Sequence, residues 1–344
     1  HISCFLGDIE TIQFFADVMD NSLIHPNNSK QIYTHLSCFP VNSYLFMSPF
    51  LTDELISAKD NSGRTILHYL AYNGNLAGLC CLSDHKFNIN EPDLEGWTAL
   101  HMACYKDELE MAIRLIRMNA DVSCRTHDGR TPLHFAALSK NEILVKYLLD
   151  QGAKKELVDT LMRTPLHYSI FSINLEIASQ LLELKDYSIR DLHGRNLLHY
   201  AILSFNSDFV ELVISNGISV DSIDNESRTP LHYASFFDEE GLIVNTLFGC
   251  SSTSLKDIHG FLPLHYAFYG NKTLNIAILL EKTSEIITEI SPCISLLHIL
   301  LQVGITEFLP TILKRYDCTH IPFDDDGRFQ VFYLRDFPFS HGGL

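Results

Sequence analysis

Eight Leu-His pairs run through this chain at a nearly fixed interval: Leu67-His68, Leu100-His101, Leu133-His134, Leu166-His167, Leu198-His199, Leu231-His232, Leu264-His265 and Leu297-His298. Six of the seven steps are 33 residues and the remaining one is 32; His35 and His1 extend the register upstream. Imidazole titrates near neutral pH and is a common metal ligand, so such a row suggests proton transfer or zinc chemistry. Zinc, however, needs its ligands converging at about 2.0–2.1 Å. Histidines one repeat apart are separated by roughly a helix-packing distance, about 10 Å. One imidazole per layer cannot form a cluster, and a repeat of this length is the mark of a stacked solenoid.

The columns around each histidine specify the elements that carry it. Three residues upstream stand Thr65, Thr98, Thr131, Thr164, Asn196, Thr229 and Ser295, with Leu262 the exception. Their side-chain oxygens suit a helix N-cap. Pro132, Pro165, Pro230 and Pro263 follow, at the first helical position where a missing N–H costs nothing. Small residues two positions after the histidine (Ala103, Ala136, Ser169, Ala201, Ala234 and Ala267) imply closely approaching helices. Upstream, Asp60, Asp93, Asp159, Asp191, Asp224 and Asp257 precede Gly63, Gly96, Gly129, Gly194 and Gly260 at turn spacing. A second apolar run follows each first helix, as at 143–149, and Gly152 and Gly217 mark expected helix ends. Each unit reads as turn, short helix, tight loop, second helix.

With "GRTPLHFAA" at 129–137 and "SRTPLHYAS" at 227–235, this pattern strongly resembles the ankyrin-repeat family. The match is best around His134, His232 and His265, and weakens around His298, His35 and His1. The resemblance implies an all-α ankyrin-repeat solenoid of about ten helix-turn-helix repeats with short β-hairpin or turn fingers. The array is expected over 1–314, degenerate at 1–55 and 290–314. Residues 315–344, including "DDDGRFQVFYLRDFPF" at 324–339, are expected to form a capping segment or a degenerate last repeat. The segments at 90–105 and 257–270 are also similar to long regulatory arrays of the protein phosphatase 6 ankyrin-subunit type. The chain begins inside a repeat, at the histidine itself, which leads us to expect a longer protein.

Composition narrows the function. A net charge of −17 disfavours nucleic acid and anionic membranes as partners, since phosphate binding needs a basic stripe. No apolar run reaches the length of a membrane span. Nine cysteines without a Cys-x-x-Cys pair, three of them (Cys4, Cys38 and Cys104) in one column, read as small hydrophobes in a reducing compartment. No Gly-x-Ser-x-Gly, phosphate-cradling loop or His-Glu-x-x-His occurs. Neither catalysis, a cofactor nor a metal is expected, and the cytoplasm is the expected location, with the nucleus left open.

The resemblance implies that the histidines tie neighbouring repeats together by local hydrogen bonds. It also implies that hairpin tips and the exposed side of the first helix form a concave groove that binds partners. The fourth residue before the histidine supplies Arg64, Trp97, Arg130, Arg163, Arg195, Arg228 and Phe261. The fourth and fifth residues after it supply Phe39, Tyr72, Tyr105, Leu138, Phe171, Phe236, Phe237 and Tyr269. Aromatic and arginine side chains are the types enriched in binding hot spots, and arginine captures carboxylate or phosphate in bidentate fashion. The expected partner is therefore another protein, an extended segment or domain edge with apolar and acidic or phosphorylated groups. Gly-Arg-Thr is also common wording in the family, and the arginine can instead pair with a turn acid. The expected role is a non-catalytic scaffold or adaptor. The alternative is the targeting module of a larger enzyme (palmitoyltransferase, kinase or ubiquitin ligase) or of a cation channel. The acidic clusters Asp107-Glu108-Glu110 and Asp238-Glu239-Glu240 are expected in solvated loops away from the groove.

Overall fold

The computed structural model describes residues 51–172, 174–182, 189–282, 289–291, 294–295, 303–305 and 307–315. Expectations for His1, His35, Phe39, His298 and the 324–339 segment fall outside them. The chain divides into two compact units, His1–Lys185 and Asp186–Leu344. In the first, α1 (Asp53–Ser57) precedes the helix pairs α2 (Ile66–Tyr72) and α3 (Leu76–Cys81), α4 (Ala99–Tyr105) and α5 (Leu109–Arg117), α6 (Pro132–Leu138) and α7 (Glu142–Asp150), and α8 (Pro165–Ser169) and α9 (Leu175–Leu181). The second holds α10 (Leu197–Leu203) and α11 (Ser207–Ser215), α12 (Pro230–Phe237) and α13 (Leu242–Phe248), and α14 (Pro263–Tyr269) and α15 (Thr273–Lys282). Two short strands, β1 (Glu289–Ser291) and β2 (Ile294–Ser295), and α16 (Leu309–Arg315) follow.

First helices start where the caps and prolines place them. Thr98, Thr131, Asn196 and Thr229 have extended backbones just before α4, α6, α10 and α12. Second helices start at side-chain caps of another type: Asn75, Asn141, Asn174 and Asn206 accept backbone N–H bonds of the first turn. The small-residue column is sealed, with Ala103, Ala136, Ser169, Ala201, Ala234 and Ala267 all at 0% exposure, so within each unit first helices of successive repeats approach closely. Leucines of the Leu-His pairs and apolar residues of the second helices, such as Leu144, Val145 and Leu148, fill the space behind them.

Each finger is a tight turn. Asp93 N–H donates to the Trp97 carbonyl at 2.8 Å, and the Asp93 carboxylate accepts from Glu95 N and Trp97 N at 2.9 and 2.8 Å. Neighbouring fingers join by one backbone bond, as from His127 N to Glu95 O (2.9 Å) and Asn225 N to His193 O (2.9 Å). The turn needs a left-handed residue, and Gly63, Gly96, Gly129, Gly194 and Gly260 supply it at φ +76° to +85°. In the same column Met162 (φ +62°) and Ser227 (φ +59°) adopt that conformation without being glycine.

Gly96 carries a second constraint, because a Cβ there would sit 2.8 Å from His127 N in the next finger. Gly152 is also left-handed, at φ +87°, with nothing within 4 Å of a Cβ. Gly96→Ala should therefore cost more than Gly152→Ala, which pays only the left-handed penalty of about 1–2 kcal/mol. Urea denaturation of the two variants side by side checks the order, and equal losses would remove the close finger contact from the account.

Ahead of the Ser295 cap, Glu289 pairs with Ser295 and Ser291 with Ile294 in an antiparallel register, at the finger position where a short β-hairpin was expected. The first helix expected after Ser295 begins outside the described residues.

Candidate functional site

The histidines sit at the third position of each first helix, buried, and in five of them both ring nitrogens are seen to bond. His101 Nδ1 accepts from Thr98 N–H at 3.0 Å, with Thr98 Oγ1 also at 3.0 Å. The same pair of contacts recurs for His68, His134, His167 and His232 with Thr65, Thr131, Thr164 and Thr229. Because a backbone N–H must donate to Nδ1, the proton lies on Nε2. That Nε2–H donates to a carbonyl one repeat onward: His68 to Trp97 (2.9 Å), His101 to Arg130 (3.2 Å) and His134 to Arg163 (3.1 Å) in the first unit. In the second unit His199 donates to Arg228 (3.1 Å) and His232 to Phe261 (3.1 Å). His265 ends this tied series, its Nε2 having no acceptor among the described residues.

Burial pushes His101, His134, His199 and His232 down to about 4, against the partial opposition of these carbonyl bonds. His265 is pushed down to about 3 for the same reason. These are neutral structural imidazoles. Among the described residues, no three His, Cys, Asp or Glu side chains converge as a metal site would require. Burial also raises the Cys104 thiol far above its ordinary range, which makes it unreactive as a nucleophile.

The arginine column curls back onto its own turn. Arg163, Arg195 and Arg228 each place Nε 2.8 Å from the Oδ2 of Asp159, Asp191 and Asp224, four residues earlier. The same carboxylate oxygens accept the hydroxyls of Tyr168, Tyr200 and Tyr233 at 2.7–2.8 Å. Each guanidinium lies over that tyrosine ring, 4.9–5.3 Å from its centre. Burial alone would raise the Asp159 carboxyl, but the Tyr168 hydroxyl and Arg163 outweigh it and hold it below its ordinary value. Arg64 reaches the next repeat instead, to Asp93 at 3.2 Å, and Arg130 pairs with the exposed Asp128.

Two expected groove residues lie inside the protein. Arg228 is 7% exposed, held by Asp224 and by Glu226 at 2.9 Å. Phe261 is 5% exposed, in edge contact with His265 and Tyr266. Arg228 lies over the Tyr233 ring, and Phe261 meets the Tyr266 ring edge-on.

The aromatic column is what remains at the surface. Tyr72, Tyr105 and Leu138, at the ends of α2, α4 and α6, and Phe171, in the turn just past α8, are exposed at one repeat position of the first unit, with Tyr105 at 53%. Trp97 is half-buried, its ring 4.3 Å from Phe135 and 5.5 Å from Tyr105, continuing the row into the fingers. Lys106 caps Tyr72 from 4.7 Å. In the second unit Phe236 and Tyr269 stack at 6.3 Å, and Phe237 packs edge-on against Phe236 at 4.8 Å; all three are half-buried.

Sequence reasoning missed a cleft of about 600 Å³ in the second unit, lined by Phe205, Phe236, Phe237, Glu239, Glu240 and Leu242 among others. Phe205 stands six residues after its histidine, the column that holds Gly74, Asp107 and Asn271 elsewhere. All four are left-handed, at φ +63°, +62°, +54° and, for Phe205, +57°. Glycine, aspartate and asparagine tolerate that backbone, whereas phenylalanine pays about 1–2 kcal/mol. The signal was a bulky residue in a turn column, readable only once the column is known to be left-handed.

A family model described as "Ankyrin repeats (3 copies)" matches residues 1–126, 112–191, 174–251 and 198–290. Over 97 residues the chain is 33% identical to "Ankyrin repeat protein nuc-2" of Neurospora crassa. That match covers 28% of this chain and 9% of the Neurospora protein.

Proposed function

Because the chain belongs to the ankyrin-repeat family, whose arrays are generally protein-interaction modules, we propose that it is a non-catalytic scaffold or adaptor. It binds a partner protein, as an extended segment or domain edge, through the exposed row on its first helices. The observation that carries this reading is the ladder Tyr72, Tyr105, Leu138 and Phe171, four large apolar side chains exposed at one repeat position. A rigid framework holding such a row binds with little ordering cost to itself.

Acidic or phosphorylated groups on the partner would meet Arg64, Arg130 and Arg163, whose side chains are 39%, 26% and 28% exposed. Their pairing with aspartates means that an incoming anion must compete for them, so apolar contacts supply most of the affinity. The cytoplasm is the proposed location. Among the described residues no helix is long and apolar enough to cross a membrane.

A second reading makes the array the targeting module of a larger enzyme or channel. The observation favouring it is the Neurospora relative, of which the match occupies 9%.

The double substitution Tyr105→Ser/Phe171→Ser tests the scaffold reading. Affinity purification with mass spectrometry should recover partners with the wild type and lose them with the variant, while circular dichroism stays unchanged. The same partners bound equally by both chains would reject the row as the interface.

A further inference from the structure

We propose that the cleft around Phe205 is a separate docking site for a partner segment that presents an apolar side chain flanked by lysine or arginine. The proposal rests on the reading of the chain as a protein-binding scaffold, and places a second contact on the loops that join paired helices.

Two local costs coincide at Phe205. Its backbone is left-handed, where sibling repeats use glycine, aspartate or asparagine, and its ring is 63% exposed. Neither cost contributes to packing, and strain kept at an exposed position points to function. Leu242, another lining residue, is 55% exposed at the start of α13. Phe236 and Phe237 line the same cleft.

Charge selects the occupant. Glu239 and Glu240 are exposed on the rim, and the Glu239 side chain is 79% accessible. Asp238, also among the lining residues, is buried and accepts from Gly241 N at 3.1 Å and Val244 N at 2.9 Å, fixing the loop that carries the two glutamates. Lys272 is the cation among the lining residues, and it is tied to Glu239 at 3.0 Å with its side chain 20% exposed. An apolar floor with an acidic rim fits an apolar anchor next to a basic residue, and the net charge of −17 draws such segments in.

The test pans a phage-displayed library of random peptides against the full chain, then measures synthetic copies of the enriched peptides by fluorescence polarisation. The comparison set is the wild type, Phe205→Gly, Glu239→Lys/Glu240→Lys and Tyr105→Ser. Glycine suits the left-handed backbone, so Phe205→Gly should melt at or above the wild-type temperature while binding falls at least tenfold. The charge-reversed variant should lose binding to a similar extent, and added salt should weaken the wild-type complex. Enriched peptides should pair an aromatic or aliphatic residue with lysine or arginine. Peptides that bind Phe205→Gly as tightly as wild type would overturn the proposal; if Tyr105→Ser weakens those same peptides, the scaffold reading survives without it. Enrichment of apolar peptides lacking basic residues, or of no peptides, would also overturn it. So would a wild-type dimer that Phe205→Gly converts to monomer, because the occupant would then be a second copy of the chain.

Discussion

Between pH 6.5 and 4 the folded array should lose stability steeply through its buried imidazoles. His101, His134, His199 and His232 are held down to about 4, and His265 to about 3, by burial. In the unfolded chain each returns to the ordinary imidazole value of 6.5. Above 6.5 neither state binds the proton, so this contribution to stability is fully present. As the pH falls below 6.5 the unfolded state takes up protons that the folded state refuses, and stability drops by up to about 1.4 kcal/mol per pH unit per histidine. At pH 5 each of these groups has cost about 2 kcal/mol, against a total stability for a typical domain of about 5–15 kcal/mol. Urea midpoints followed by circular dichroism in half-unit pH steps should fall progressively, with spontaneous unfolding before pH 4. A flat midpoint from pH 7 to 5 would mean that the imidazoles are not held neutral.

The second large effect comes from removing one tie. His232→Ala leaves the Thr229 N–H without its 3.0 Å acceptor and the Phe261 carbonyl without its 3.1 Å donor, and it empties a fully buried site. A buried unsatisfied polar group costs about 1–3 kcal/mol, and the lost packing adds to it, so a loss of about 3–4 kcal/mol is expected. A solenoid is held by nearest-neighbour interfaces, so the damage should also reduce cooperativity, broadening or splitting the urea transition. Glutamine is the natural third helical residue of a capping box and can accept the Thr229 N–H. His232→Gln should therefore recover part of the loss and remove one proton from the acid transition. If His232→Ala unfolds with wild-type midpoint and steepness, the inter-repeat bond carries no weight.

The sequence made the fold legible because its signals are local. A threonine cap, a proline in the first turn and a left-handed glycine act within a few residues, and the 33-residue period repeats them until chance is excluded. The candidate site was legible only in part. The spacing from Asp224 to Arg228 permits an ion pair, yet the sequence leaves open whether the guanidinium turns inward or outward. That choice is made by Tyr233, whose hydroxyl reaches the same carboxylate at 2.8 Å and whose ring lies beneath the guanidinium. Tyr105 and Phe171 remain outside at 53% and 49% exposure. Phe205 escaped notice because a phenylalanine in a loop looks unremarkable until neighbouring repeats reveal the conformation it must adopt.

The bond that joins one repeat to the next ends on a backbone carbonyl, which every amino acid possesses. The residue offering it is a tryptophan after His68, an arginine after His101, His134 and His199, and a phenylalanine after His232, with nearly the same bond length each time. The joint is thus indifferent to the side chain standing over it. The bond works as a rivet that holds whatever plate is laid beneath it, so the residue type can change from repeat to repeat while the tie itself keeps its length.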